Sequence, residues 1–285
     1  MSFPQPKPWI SAIAPYVPGK ATTASGRPAA KLSANESPLG PSPKAVAAMQ
    51  AACVNAHRYP DGGATLLREA IARHHGIEAD RIMCGTGSDE ALHLLAHAYC
   101  AAGDEVMFVR HGFMVYPIAA QRMGATLVEV PDRDYTADVD ALLAAVTPRT
   151  RILYLANPNN PTGTYLPESE ILRLHAGLPS DVILVLDAAY AEYVTAPDYE
   201  SGLELARRAP NVVTTRTFSK IYGLAAERIG WVYGPAAIIE TLNKVRGPFN
   251  VTGPGIAGAI AALEDQAWIE AARDISLEWV PSVGS

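Results

Sequence analysis

The sequence predicts an α/β chain, a three-layer αβα sandwich built on a seven-stranded, mostly parallel sheet, and three observations carry that expectation. Seven short runs rich in β-branched and aliphatic residues recur along the chain: RIMCG (81–85), EVMFV (105–109), TLVEV (126–130), RILYL (151–155), VILVL (182–186), NVVTT (211–215) and IGWVY (229–233). Most are continuous apolar stretches rather than alternating ones, the pattern of strands covered by helices on both faces. Helical segments fall between many of them, as a doubly wound sheet requires.

The whole chain sets bounds on what such a fold can do. Its 285 residues, 49% of them hydrophobic, suffice for a large buried core. Net charge is −6 with no basic cluster, which argues against a nucleic-acid or anionic-membrane surface and for small-molecule chemistry. Cys53, Cys84 and Cys100 are odd in number and lack a CxxC pair, so reduced thiols in a cytoplasmic setting are expected. Prolines interrupt the N-terminus where a signal peptide needs an apolar run, and no stretch is long enough to span a membrane.

In chain order, residues 1–30 carry six prolines and read as an extended arm that lies on something else, a partner subunit being the usual host. Residues 31–250 form the large α/β domain. It opens with a strand-like piece, a turn holding Asn35 and Glu36, and a helix from near Pro43. Tyr59-Pro60-Asp61-Gly62-Gly63 is loop chemistry, followed by a helix with Leu66, Leu67, Ala70 and Ile71 on one face. After the seventh run, 235–247 reads as a helix stopped by Gly247-Pro248, and one further helix runs from about Pro254 to Glu278. Residues 251–285 would be a linking helix and the remnant of a smaller C-terminal domain.

Four segments at strand ends carry chemistry, and in open α/β sheets ligands gather at the carboxyl ends of strands. In CGTGSDEALHLLAHAY (84–99) a glycine-rich turn opens a helix at Ser88, Asp89 and Glu90, whose free amides suit an anion. A dinucleotide fingerprint is disfavoured, because position 90 is Glu90 and the acidic pair Asp104-Glu105 precedes the next strand instead of ending it. LANPNNPTG (155–163) is a stiff polar turn in which an asparagine can donate a fixed hydrogen bond. Asp187 ends a run of aliphatics, where an unpaired carboxylate is costly, so a cationic partner is expected. Lys220 follows the NVVTT run, which is left at polar Arg216-Thr217, with Ser219 beside it and Arg228 eight residues on. A strand-end lysine able to form a Schiff base, an aspartate for a pyridinium nitrogen and a set of phosphate donors together describe a site for pyridoxal phosphate.

The strings KLSANESPLGPSP, RYPDGGATLLREAIA, GTGSDEALHLL, NPNNPTG, DAAYAEY and RTFSKIYGLAAERIGW occur in the order and approximate spacing of histidinol-phosphate aminotransferases. Over roughly residues 10–270 the chain resembles that family of fold-type-I pyridoxal-phosphate enzymes. The resemblance implies that Lys220 is the Schiff-base lysine and proton shuttle, that Asp187 pairs with the pyridine nitrogen, and that Asn160 and Tyr190 hydrogen-bond the ring hydroxyl. It further implies that Gly87, Ser88, Asp89, Ser219 and Arg228 bind the phosphate and that Phe113 stacks on the ring. Tyr59 would reach into a homodimeric partner's site, and Tyr16 and Asn35 would lie near substrate. The implied reaction moves an amino group between glutamate and imidazole-acetol phosphate. DAAY stands where DEAY is common, and AAER where a glycine-leucine pair is common; both leave the ligating residues in place. The family's C-terminal domain supplies an arginine that grips substrate, and the tail ISLEWVPSVGS does not read as that domain, so cofactor binding with weak or lost transamination is expected. A threonine-phosphate decarboxylase-like enzyme and a non-catalytic cofactor-binding remnant are the alternatives. His93 and His97 have the i,i+4 spacing of a metal pair without an evident third ligand, and His74-His75 read as a solvated helix end.

Overall fold

The computed structural model describes residues 4–15, 26 and 33–283. Its seven strands are β1 (Ile82–Thr86), β2 (Glu105–Val109), β3 (Thr126–Val130), β4 (Thr150–Ala156), β5 (Ile183–Asp187), β6 (Val212–Thr217) and β7 (Ile229–Tyr233). They form one sheet in the order β1-β7-β6-β5-β4-β2-β3. The pairs among β2 to β6 are parallel, and β7 runs antiparallel to both of its neighbours. All seven expected strands are present, and the mostly parallel sheet is confirmed.

The helices are α1 (Pro8–Ser11), α2 (Pro43–Cys53), α3 (Thr65–His75), α4 (Gly87–Tyr99), α5 (Val115–Arg122), α6 (Val139–Ala144), α7 (Glu168–Gly177), α8 (Leu203–Arg208), α9 (Ala236–Val245), α10 (Gly253–Glu264) and α11 (Gln266–Val283). Successive strand residues point to opposite faces, and each face is apolar. Met83, Val106, Phe108, Ile152, Tyr154 and Val185 join α4, α5 and α9 in one core layer. Cys84, Met107, Leu153, Leu155, Leu184 and Leu186 join the helices of the opposite face in the other. Continuous apolar runs are therefore what a sheet covered on both sides demands.

The structure corrects the sequence reading at four places. β6 continues through Arg216 and Thr217, which pair with Trp231 and Gly230 of β7. A buried arginine is tolerated there because its guanidinium lies 2.7 Å from Glu192 and 5.6 Å from the Trp231 ring. The expected helix from 254 to 278 is two helices, broken at Asp265, whose carboxylate accepts from Lys44 Nζ at 2.8 Å. α10 packs closely on α2; a Cβ on Gly258 would come within 2.6 Å of Met49. The described part of the arm is not wholly extended, since Pro8–Ser11 forms one helical turn on the same chain's α5, with Trp9 Nε1 donating to Arg122 O at 3.3 Å. The strand-like piece expected at the head of the large domain begins in residues outside those described, and Ser33 and Ala34 after it lie in a turn. His74 is exposed but His75 is partly buried: its ring lies 5.3 Å from Trp231, and burial together with the Arg216 charge lowers its pKa to about 2.

Candidate active site

A cavity of about 470 Å³ opens at the carboxyl ends of β4, β5 and β6, and its lining includes Asn35, Ser88, Asp89, Phe113, Asn160, Asp187, Tyr190, Ser219, Lys220 and Arg228. Ten positions singled out from sequence thus converge on one space.

One end is built to hold an anion. Gly87 starts α4 at φ +75, and Thr86 before it offers no side-chain cap, so the first amides of the helix lack intrahelical acceptors. Arg228 Nη1 donates to Ser219 Oγ at 3.1 Å, and Nη2 lies 3.4 Å from Asp89 Oδ2. Glycine is required here by close approach. A Cβ on Gly87 would meet Arg228 Nη2 at 2.5 Å, and one on Gly230 would meet Gly87 C and Ser88 N at 2.3 Å. Backbone amides, two serine hydroxyls and a guanidinium therefore crowd one wall, the donor set a phosphate takes. Gly230→Ala is expected to push the start of α4 away from β7, costing about 1–3 kcal/mol of stability by overpacking. Phosphate-ester binding should weaken with it, as a thermal melt and a titration with pyridoxal phosphate would show.

The far end is acidic and buried. Asp187 is buried; Oδ2 accepts from the Tyr116 hydroxyl at 2.8 Å and Oδ1 from the Thr215 hydroxyl at 2.9 Å. The cation expected from the sequence is not among these two partners, which are neutral. Burial accordingly raises the Asp187 pKa to about 6, against the pull of both hydrogen bonds and of the Lys220 charge.

Lys220 sits between the two ends, half-buried, with Nζ donating to Ala34 O at 2.9 Å and 5.7 Å from the Tyr190 ring centroid. Burial lowers its pKa, with the Arg228 charge adding to the effect and the Asp89, Glu36 and Asp187 charges opposing it. The amine is thereby closer to the neutral form that attacks a carbonyl. Tyr190 OH accepts from Asn35 Nδ2 at 2.9 Å. The asparagines of the NPNNPTG turn divide their work. Asn157 is bound both ways to Leu166, and Asn159 donates to His111 O and Thr162 Oγ1, so these two frame the turn while Asn160 lines the cavity.

Of the remaining expected residues, Gly87 stands at the start of α4 next to the lining residue Ser88, and Tyr59 is not brought into this cavity. Tyr59 is exposed and stacks on Phe249, with ring centroids 4.6 Å apart. Tyr16 lies outside the described residues. The sequence reading in turn missed Tyr116, Thr215 and Thr217. The two threonines could have been found by strand alternation, since they share a face of β6 and Thr215 is in register with Asp187. Tyr116 belongs to no local motif. Among the described residues no group of three or more His, Cys, Asp or Glu could hold a metal ion.

The residues fit pyridoxal phosphate: the glycine-dependent amide wall suits its phosphate, and the buried Asp187, with no cation bound to it, suits a protonated ring nitrogen. The model for aminotransferase class I and II matches residues 27–278. Histidinol-phosphate aminotransferases from Sphingopyxis alaskensis and Erythrobacter litoralis are 58% identical over 277 residues and 59% identical over 271 residues. These alignments cover 96% and 95% of this chain and 75% and 74% of the two relatives. Among solved structures, histidinol-phosphate aminotransferase from Sinorhizobium meliloti in complex with pyridoxal-5'-phosphate superposes with a TM-score of 0.89 at 34% identity, covering 95% of this chain and 74% of that one. Aspartate aminotransferase from Thermus thermophilus with maleate gives a TM-score of 0.76 at 25% identity over 89% of this chain and 72% of that one. The matched length, the identity and the shared fold together show that the chain belongs to the class I and II aminotransferases and, within them, to the histidinol-phosphate aminotransferase family.

Proposed function

We propose that the chain catalyses pyridoxal-phosphate-dependent transfer of an amino group between glutamate/2-oxoglutarate and histidinol phosphate/imidazole-acetol phosphate, a step of histidine biosynthesis. The observation that carries this reading is the convergence of Lys220, Asp187 and the α4 anion wall on a single cavity. The relatives' names support the substrate pair and favour amino transfer over decarboxylation. Pyridoxal phosphate, when bound, supplies a carbonyl that condenses with amines and a ring that withdraws electrons from the substrate α-carbon.

The chain's own residues do the rest. Ser88, Ser219, Arg228 and the amides of α4 hold the phosphate and so fix the ring's position. Asp187 meets the ring nitrogen and keeps its proton in place, a charge-assisted bond of about 1.5–3 kcal/mol. Asn160 and Tyr190 hydrogen-bond the ring hydroxyl, and Phe113 covers the ring face. Lys220 would take the proton from the substrate α-carbon and return it on the cofactor side, its lowered pKa suiting both roles. Arg228 is the sole arginine among the described residues lining the cavity, and it serves the cofactor phosphate. Incubation with pyridoxal phosphate, histidinol phosphate and 2-oxoglutarate tests the proposal through glutamate formation. Carbon dioxide release without glutamate would replace it with the decarboxylase reading.

The chain is proposed to act as a homodimer in the cytoplasm. The exposed Tyr59–Phe249 stack, an aromatic pair outside its own cavity, supports a second copy as its cover. The free thiols of Cys53, Cys84 and Cys100 support the compartment. No helix among the described residues is long and apolar enough to cross a membrane. Sedimentation at micromolar concentration should give twice the chain mass, and a monomer would contradict the pairing.

A further inference from the structure

We propose that Tyr116 is a positioning residue for the reaction, a buried phenol that holds Asp187 as an ionised carboxylate so that the cofactor's ring nitrogen meets a charge rather than a neutral acid. The inference rests on the pyridoxal-phosphate reading of the cavity.

Three features carry it. The Tyr116 hydroxyl donates to Asp187 Oδ2 at 2.8 Å, leaving Oδ1 to Thr215, so each carboxylate oxygen has one donor from a different element. A phenol is a far stronger acid than an aliphatic hydroxyl, so it is the stronger of the two donors, and hydrogen bonds to the charged form favour ionisation. The phenol also keeps its proton: burial and the neighbouring Asp187 charge push the Tyr116 pKa well above its ordinary value.

The second feature is that the donor cannot drift. The Tyr116 ring stacks on Tyr154 at 5.1 Å with planes 3° apart, and the Tyr154 hydroxyl is anchored on Leu92 O at 2.7 Å. Phe113, itself in the cavity wall, meets the edge of the same ring at 5.8 Å. A column from α4 through β4 to α5 thus fixes the hydroxyl over β5. The third is the set of other charges facing Asp187. Lys220 favours the carboxylate, Asp89 opposes it, and burial opposes it most strongly. Tyr190 and Tyr199 stay protonated beside it, their pKa values raised chiefly by burial. Against that balance a single strong donor decides how much of Asp187 is charged near neutral pH.

The test uses pyridoxamine 5'-phosphate, which lacks the aldehyde, so Lys220 chemistry does not enter the readout. Its affinity is measured by fluorescence titration from pH 5 to 9 on the unchanged chain, Tyr116→Phe and Asp187→Asn. Tyr116→Phe keeps the ring stack and is expected to move the acid limb of the affinity profile up by about one pH unit, so that binding is roughly 10-fold weaker near pH 5, roughly 2-fold weaker near pH 7 and nearly unchanged toward pH 9. Incorporating 3-fluorotyrosine at position 116, a stronger donor, should move the limb the other way, which a packing defect does not do. A loss equal at every pH, or no movement of the limb in either variant, would overturn the role assigned to Tyr116. Failure of the unchanged chain to bind the probe, or unaltered binding by Asp187→Asn, would instead overturn the cofactor reading and this inference with it.

Discussion

Lys220→Ala is expected to abolish the visible absorbance that pyridoxal phosphate develops on the chain and to cut amino transfer at least about 10⁴-fold, because one side chain supplies both the amine and the proton shuttle. The geometry sets this size. Nζ lies between the anion wall and Asp187 with its one described acceptor, Ala34 O, at 2.9 Å, and no other lysine among the described residues lines the cavity. Cofactor affinity should fall less than activity, since the phosphate wall and Asp187 are untouched. A difference spectrum of variant against unchanged chain, followed by a glutamate-release assay, checks both parts. A visible band that persists in the variant would remove Lys220 from its assigned role.

Asp187→Asn carries the second largest effect. Losing the charge-assisted bond of about 1.5–3 kcal/mol should weaken cofactor binding roughly 10- to 150-fold. Turnover should fall further, because a neutral amide does not hold the ring-nitrogen proton. The same variant has a signature without cofactor. The folded Asp187 carboxyl titrates near 6 against an ordinary value of 3.8, so the folded state keeps a proton that the unfolded chain has already lost. Stability from this group is full below about pH 4 and is lost as pH rises through about 6, a change of about 3 kcal/mol. His75 acts in the opposite sense. With its pKa lowered to about 2, it costs stability as pH falls below its ordinary 6.5. The difference in melting between the unchanged chain and Asp187→Asn cancels His75, and it should favour the unchanged chain progressively more as pH drops from 7 to 5. A flat difference would contradict a raised Asp187 pKa.

Much of this architecture was legible because it rests on local patterns. Continuous apolar runs named the strands, and their ends named Asp187, Asn160 and Lys220. What was not legible depends on partners distant in sequence. Arg216 reads as a strand terminator until Glu192 and Trp231 enclose it. The break at Asp265 is fixed by Lys44, 221 residues away. His75 reads as solvated until Trp231 packs against it. Tyr116 escaped notice because nothing around it marks a site, and only the fold carries its hydroxyl to Asp187, 71 residues on. The cation expected beside Asp187 is the ring nitrogen of the proposed cofactor, and within the chain two hydroxyls hold the carboxylate.

The most direct measurement of the central claim is a rapid-mixing absorbance record of the chain loaded with pyridoxal phosphate, before and after addition of histidinol phosphate or glutamate. The account predicts a visible band that requires Lys220 and bleaches with either amino donor, while the matching oxo product accumulates in step. A band that forms and stays unchanged with both donors would contradict it, leaving a chain that binds the cofactor without transferring an amino group.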